Sequence, residues 1–337
     1  MFTRPDDLAD DTVAAAVAEG WGLRAGAIDY LPVGFGSHHW RVEADGRRWF
    51  VTADDLRAKK WHRAEPHREP LRRLRAALST ARRLRDDGLT FVVAPVADSS
   101  GDVLRVAGDH FAIAVYPYVH GRSPDSDTYS TRADRLAVLD LVVTVHRAPD
   151  PTSRHALVDA FAIQHRDELT AALTELSGRW DTGPYGEPAR ALLGRHAGAL
   201  QRVLAHYDLL VMAARGRSER AVLTHGEPHP RNTLMSDRGL MLIDWDTALR
   251  APPERDVWTL ADGDSDIVDV YEATTGVVLL DDTLALYRLR WDLTEISIYT
   301  LLFRRPHRAT TDTSIAWRGL NDCLDPKRWR DDSPGRG

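Results

Sequence analysis

Lysine is nearly missing from this chain of 337 residues: Lys59, Lys60 and Lys327 are the only three, and arginine supplies the rest of the 44 basic side chains. Cysteine is scarcer still. Cys323 stands alone, so no disulfide can form within the chain, which agrees with a reducing, cytoplasmic setting. Long apolar runs are absent too. The most apolar helix-like stretch, residues 136–145, is interrupted by Asp140, and nothing approaches the roughly 20 apolar residues needed to cross a bilayer. The opening MFTRPDDLADD is acidic and polar and does not read as a signal peptide. A net positive charge is also wanting. At −6 the chain lacks the basic surface that a phosphate backbone demands. Nucleic acid and membrane are therefore not expected partners, and a cationic small molecule would be steered favourably.

What is present is an ordinary globular composition, 43% hydrophobic and 28% charged. Residues 11–24 read as a helix and 28–33 as a strand. The turn Gly34-Phe35-Gly36-Ser37 follows, then an extended stretch, 39–42. Asp45-Gly46 is a strong hairpin signal, leading into a third strand at 49–52. Pro70 suits the first turn of a helix that runs to Asp86 and stops at Gly88, and residues 91–96 and 111–118 read as two more strands. Beyond them helical spacing dominates, at 136–146, 159–176, 188–215 and 284–303, with one short β element at 241–243 and a polar tail from 327 expected to fray. The expectation is an α+β chain: residues 1–115 as a small β-rich lobe, 116–121 as a hinge, and 122–337 as a larger, mainly α lobe.

Chemistry concentrates in Thr224-His225-Gly226-Glu227-Pro228-His229-Pro230-Arg231-Asn232 and, after a short apolar strand, Asp244-Trp245-Asp246. Phosphoryl transfer needs a carboxylate to orient the attacking hydroxyl, and an amide oxygen and a second carboxylate to hold Mg²⁺ against the phosphates. Glu227, Asn232 and Asp244 provide those groups, and hard oxygen donors suit Mg²⁺. His225 and His229, four apart, raise the alternative of zinc. Gly226, Pro228 and Pro230 forbid the regular helix that would present both rings on one face. His225 is expected to buttress the loop; His229 is expected to touch either the loop backbone or a phosphate. His146 ends an apolar face and reads as a satisfied core histidine.

The segment resembles the HGDxxxxN loop and the IDWD-type metal segment of aminoglycoside phosphotransferases and choline kinases. Residues 252–258 are similar to the stretch that follows the metal aspartate there. Gly34 to Val42 is similar to the family's glycine-rich loop and second strand, Tyr116 to Gly121 to its hinge, and 286–299 to its substrate-side helices. The resemblance implies a two-lobed, protein-kinase-like fold and ATP- or GTP-dependent phosphorylation of a small-molecule hydroxyl, on an aminoglycoside-like compound or an amino alcohol. It implies Glu227 as catalytic carboxylate, one methylene longer than the family's aspartate, and Asn232 and Asp244 as Mg²⁺ ligands. Gly34, Gly36, Ser37, Arg41, Thr52, Tyr116 and Tyr118 would line the nucleotide. His229 and Asp246 would stand close to the metal or on the substrate, and Asp292 and Glu295, three apart on one helix, would bind a substrate amine or lie solvated.

One departure matters. Thr52 stands where the family's third strand carries a phosphate-binding lysine, and the helix from Leu71 to Asp86 holds no glutamate to pair with it. Arg41, on the neighbouring strand, is the first candidate for the missing cation, ahead of Lys59 and Lys60. Thr52 and Glu227 together also motivate a second expectation, a kinase-like module that binds ligand or nucleotide with little catalysis.

Overall fold

The computed structural model describes residues 1–124, 128–261 and 264–329. In chain order the first elements are α1 (Asp10–Trp21), β1 (Ala27–Leu31), β2 (His38–Ala44), β3 (Arg47–Asp55), α2 (Arg68–Asp86), β4 (Arg105–Ala107) and β5 (Phe111–Pro117). Then come β6 (Gly121–Arg122), α3 (Arg132–His146), α4 (Asp150–Ser153), α5 (Arg166–Thr174) and α6 (Gly186–Arg215). The remainder is β7 (Val222–Thr224), β8 (Thr233–Ser236), β9 (Gly239–Leu242), β10 (Leu249–Ala251), α7 (Glu254–Ala261), α8 (Ser265–Thr275), α9 (Asp281–Arg304) and α10 (Thr311–Cys323). None of the described helices is long and apolar enough to cross a membrane.

The chain divides into two compact units, one of Met1–Ala58, His67–Asp159 and Ser218–Leu284, the other of Lys59–Pro66, Ala160–Arg217 and Ala285–Gly337. The first contains a five-stranded antiparallel sheet in the order β1-β2-β3-β5-β4. Asp45 and Gly46, at φ 53 and 69, make the tight turn that sets the β2–β3 register. Because side chains alternate along a strand, that register sorts the sheet into two faces. Trp40, Val42, Val51, Ala53, Ile113 and Val115 pack against Val13 and Val17 of α1. Ala112 and Ala114 face Leu74 and Leu78 of α2, with Tyr116 against the same cluster. His39, Arg41, Phe50, Thr52 and Asp54 share this second face by register.

A second core in this unit gathers Val138 and Val142 of α3, Leu242, Trp245, Val257 and Leu260 of α7, and Ile267 of α8. A capping box opens α3: the Thr131 hydroxyl accepts from the Asp134 amide, and the Asp134 carboxylate accepts from the Thr131 amide. In the other unit Leu286, Leu289, Leu293 and Ile296 form the buried stripe of α9, as helical spacing requires.

Three sequence expectations need correction. Residues 91–96 are a connector, not a ladder strand: Val92 makes a single bridge to Leu242, and Pro95 has no N–H with which to continue. Helix α5 begins only at Arg166, because Phe161 and His165 both stand at φ 56, which a helix cannot include. Nor is 241–243 the single β element after residue 121: β6-β8-β9 and β7-β10 form two small sheets. Lys327 lies in a 3₁₀ turn, Pro326–Trp329, while residues 330–337 of the expected fraying tail fall outside the described residues.

Candidate active site

The loop after β7 is built on one buried carboxylate. Asp256, in the first turn of α7 and 0% exposed, accepts the amides of His225 at 2.8 Å and Gly226 at 2.5 Å. Burial pushes its carboxyl up, but the hydrogen bond from His146 and the charge of Arg255 hold it below the usual aspartate range. Arg255 beside it donates to Thr224 Oγ1 at 2.8 Å and to the Thr247 carbonyl at 2.7 Å. Its guanidinium lies flat against Gly226. A Cβ at that position would overlap it, and Gly226 stands at φ 105, so the residue must be glycine on both counts.

His225 is wholly buried and joins the two motifs. Its Nε2–H donates to the Ile243 carbonyl at 2.9 Å, and its Nδ1 accepts the Glu227 amide at 3.3 Å. Burial lowers the ring's pKa, so it serves as a neutral spacer, with Trp245 edge-on at 4.5 Å between centroids. The return connection runs through Asn232. Its carbonyl accepts the Ile243 amide at 3.0 Å, and its Nδ2 donates to the Glu227 carbonyl at 3.0 Å. With Nδ2 spent in this way, Oδ1 is the side-chain atom left for a cation.

Asp244 follows Ile243 with φ 64, in the left-handed region. Aspartate tolerates that region better than most side chains, and such strain gathers at functional positions. Glu227 is one-third exposed, 3.9 Å from His229 Nε2, which also lies 3.4 Å from Asn232 Nδ2. Among the described residues no group of three or more His, Cys, Asp or Glu is gathered for a metal ion. The oxygens of Asn232 and Asp244 instead fit a cation that keeps waters and takes its other ligands from phosphate, as Mg²⁺ does.

On the sheet side, Gly34 and Gly36 take φ 70 and 96 in the loop between β1 and β2. The Ser37 hydroxyl donates to Asp54 Oδ1 at 2.5 Å, which ties that loop to β3. The Tyr116 hydroxyl has its pKa raised well above the tyrosine range by burial and then by the charges of Asp54, Asp244 and Asp246. Those residues therefore meet in one neighbourhood. Tyr118 sits just beyond β5, its amide on the Arg48 carbonyl at 3.3 Å and its ring 5.1 Å from that of His120.

Arg41 does not fill the lysine's place. It shares a sheet face with Thr52, yet its guanidinium is turned to Asp29 on the edge strand at 2.7 Å. Lys59 and Lys60 belong to the other unit. So do Asp292 and Glu295, which are not a solvated pair. Asp292 is 1% exposed and held by Arg328 at 2.7 Å, while Glu295 receives the Tyr299 hydroxyl. Burial raises the pKa of both carboxyl groups.

A family model, the phosphotransferase enzyme family, matches residues 30–294. The chain belongs to that family. Protein StrN of Streptomyces griseus is 31% identical over 255 residues, 73% of this chain and 75% of StrN. Among solved structures, spectinomycin phosphotransferase APH(9)-Ia with ADP and spectinomycin is similar at TM-score 0.69 and 16% identity, covering 95% of this chain and 96% of that one. The microcompartment-associated aminopropanol kinase is similar at TM-score 0.60 and 16% identity, covering 96% and 98%. These likenesses give the fold: α+β and protein-kinase-like, with an antiparallel-sheet N-lobe and a helical C-lobe.

Two residues of this candidate site were given no role by the motif reading. Asp256 lies in the 252–258 stretch that carries part of the resemblance, and it holds the loop from 30 residues downstream. Asp54 was open to inference, since it stands two positions beyond Thr52 and so on the same face.

Proposed function

We propose that this family member moves the terminal phosphoryl group of ATP or GTP, with Mg²⁺, to a hydroxyl of a small molecule of the amino-sugar or amino-alcohol class. The observation that carries the reading is the closed hydrogen-bond circuit Glu227–Asn232–Ile243–His225–Glu227, which fixes a carboxylate, an amide oxygen and the Asp244 carboxylate relative to one another. In this reading residues 1–115 form the nucleotide lobe, with 116–121 as its hinge and 122–337 as the rest. Gly34, Gly36 and Ser37 cover the phosphates, and Thr52, Tyr116 and Tyr118 line the nucleotide. Asn232 and Asp244 hold Mg²⁺, which supplies charge neutralisation at the phosphates when bound. Glu227 receives the substrate hydroxyl and takes its proton. His229 and Asp246 flank the transfer point.

The substrate class rests on the overall charge of −6, which favours cations, and on what the similar proteins bind. The test is phosphate transfer from ATP and from GTP over a panel of amino sugars and amino alcohols. With the acceptor that is turned over, Glu227→Gln should cut kcat by about a hundredfold or more with nucleotide affinity unchanged. Asp244→Ala should abolish Mg²⁺-dependent nucleotide binding in a folded protein. Full turnover in Glu227→Gln, or parental Mg²⁺-nucleotide affinity in Asp244→Ala, overturns the assignment. A second reading, a kinase-like binding module, draws on the carboxylates of Asp54, Asp244 and Asp246 around Tyr116 where a lysine is expected. It predicts nucleotide binding with no transfer to any acceptor.

A further inference from the structure

The lysine that Thr52 replaces leaves a demand on its face of the sheet. The carboxylates of Asp54, Asp244 and Asp246 all act on Tyr116, which shares that face. Phosphates brought among them need a positive or donor group from the chain as well as a metal ion, because negative charges at close range repel and buried charge is costly to leave uncompensated. Strand register says which groups are to hand. Side chains alternate, so β2 presents His39, Arg41 and Glu43 on this face, and β3 presents Arg48 and Thr52. On the described strands of the sheet, three basic side chains therefore stand there: His39, Arg41 and Arg48. Arg41 is turned to Asp29 at 2.7 Å, and Arg48 to Glu43 at 3.3 Å. His39 is the one directly opposite Thr52 in the ladder.

The His39 ring is placed from two sides. It stacks on Phe50, its diagonal neighbour across the ladder, at 5.0 Å between centroids and 27° between planes. Its Nε2 edge lies against the glycine loop: a Cβ built on Gly34 would stand 3.2 Å from Nε2, and Gly34 is held at φ 70. The Ser37 hydroxyl on Asp54 ties the same loop to β3. An imidazole donates an N–H to a phosphate oxygen in either charge state, and when protonated it brings the charge that a lysine would have brought.

We infer that His39 is a phosphate-binding residue of this chain, standing in for the strand lysine beside Thr52 and donating an imidazole N–H to the phosphates of the nucleotide. The inference rests on the reading of this unit as the nucleotide site of a phosphotransferase. His39 takes no part in the proton transfer at Glu227.

The experiment compares His39→Leu, which removes both ring nitrogens at similar volume, with His39→Gln, whose side-chain amide returns a donor close to where Nε2 stood. Titration calorimetry measures Mg²⁺-ATP and Mg²⁺-GTP, and then adenosine and guanosine, which carry no phosphate. For the base that the parent accepts, His39→Leu should weaken the Mg²⁺-triphosphate about tenfold and leave the nucleoside within about twofold. His39→Gln should bind the triphosphate within about threefold of the parent. Parental triphosphate affinity in a folded His39→Leu overturns the inference. So does an equal loss for triphosphate and nucleoside, the mark of a ring that only packs on Phe50. If His39→Leu does not fold, the parent itself is read, with the His39 imidazole ¹⁵N resonances assigned by their absence from His39→Gln. The Mg²⁺-diphosphate should shift them and the nucleoside should not; resonances that the diphosphate leaves in place overturn the inference. A parent that binds neither triphosphate sinks this inference and the proposed function together, whereas a parent that binds one without depending on His39 sinks this inference alone.

Discussion

Gly226 is held from two directions, by a backbone angle of φ 105 and by the Arg255 guanidinium packed on its open side. Gly226→Ala should therefore cost about 3 kcal/mol or more, from backbone strain together with overpacking. A lowered urea midpoint at unchanged slope would register it; a variant as stable as the parent would mean that Arg255 moves aside freely. Single residues were also where the sequence was most readable. Glu227, Asn232 and Asp244 stood out because they are the side-chain types a metal-assisted transfer needs and they lie in one short segment. Asp256, within the 252–258 stretch, was given no role, because its carboxylate reaches 30 positions back to two backbone amides, and backbone donors leave no trace in side-chain spacing. The αL angle of Asp244 was equally hidden, since aspartate is compatible with many conformations.

Among the elements, the β2–β3 hairpin was read closely, because Asp45-Gly46 dictates both its turn and its register. The register also decides what Arg41 does. It lies opposite Phe50 on β3 and opposite Asp29 on β1, and the side chain takes the nearer opposite charge. Arg41→Ala should accordingly change Mg²⁺-nucleotide affinity less than about twofold, the scale expected for loss of an exposed ion pair away from the ligand. Titration calorimetry with a non-hydrolysable nucleotide measures it, and a tenfold loss would restore Arg41 to the phosphates. The stretch 91–96 was misread for a reason the sequence does not hold. Its apolar composition suits a strand, but it finds a single bridge to Leu242 and one amide bond from Val96 to Val115, and only the tertiary fold determines how much of a ladder a segment finds. The same applies to 159–165, where two left-handed residues, Phe161 and His165, lack the glycine that would have announced them.

At the level of the whole molecule, two carboxyl groups, one in each unit, should contribute to stability with opposite pH dependence. Asp256 has its carboxyl pKa lowered in the folded chain, so its contribution is present above the reference value of 3.8 and is lost as pH falls below it. Glu295 has its pKa raised, first by burial, so its contribution is present below the reference value of 4.5 and is lost as pH rises above it. Urea titrations over a pH series should find that Glu295→Gln gains on the parent as pH rises from about 4.5. Asp256→Asn should lose most at neutral pH, with the gap closing in acid. A Glu295→Gln curve parallel to the parent's would remove the first assignment.

The division of the chain has a further consequence, for synthesis. The first unit is assembled from Met1–Ala58, His67–Asp159 and Ser218–Leu284, with stretches of the other unit strung between them. A ribosome extruding this polypeptide delivers the five-stranded sheet early. It delivers Asp256, the carboxylate that holds the His225 and Gly226 amides, only after most of the protein has been made. Domains that fold as units during translation do so as their last segment emerges. The nascent protein therefore has the strands of its sheet in hand well before the carboxylate on which the 225–226 amides rest has emerged.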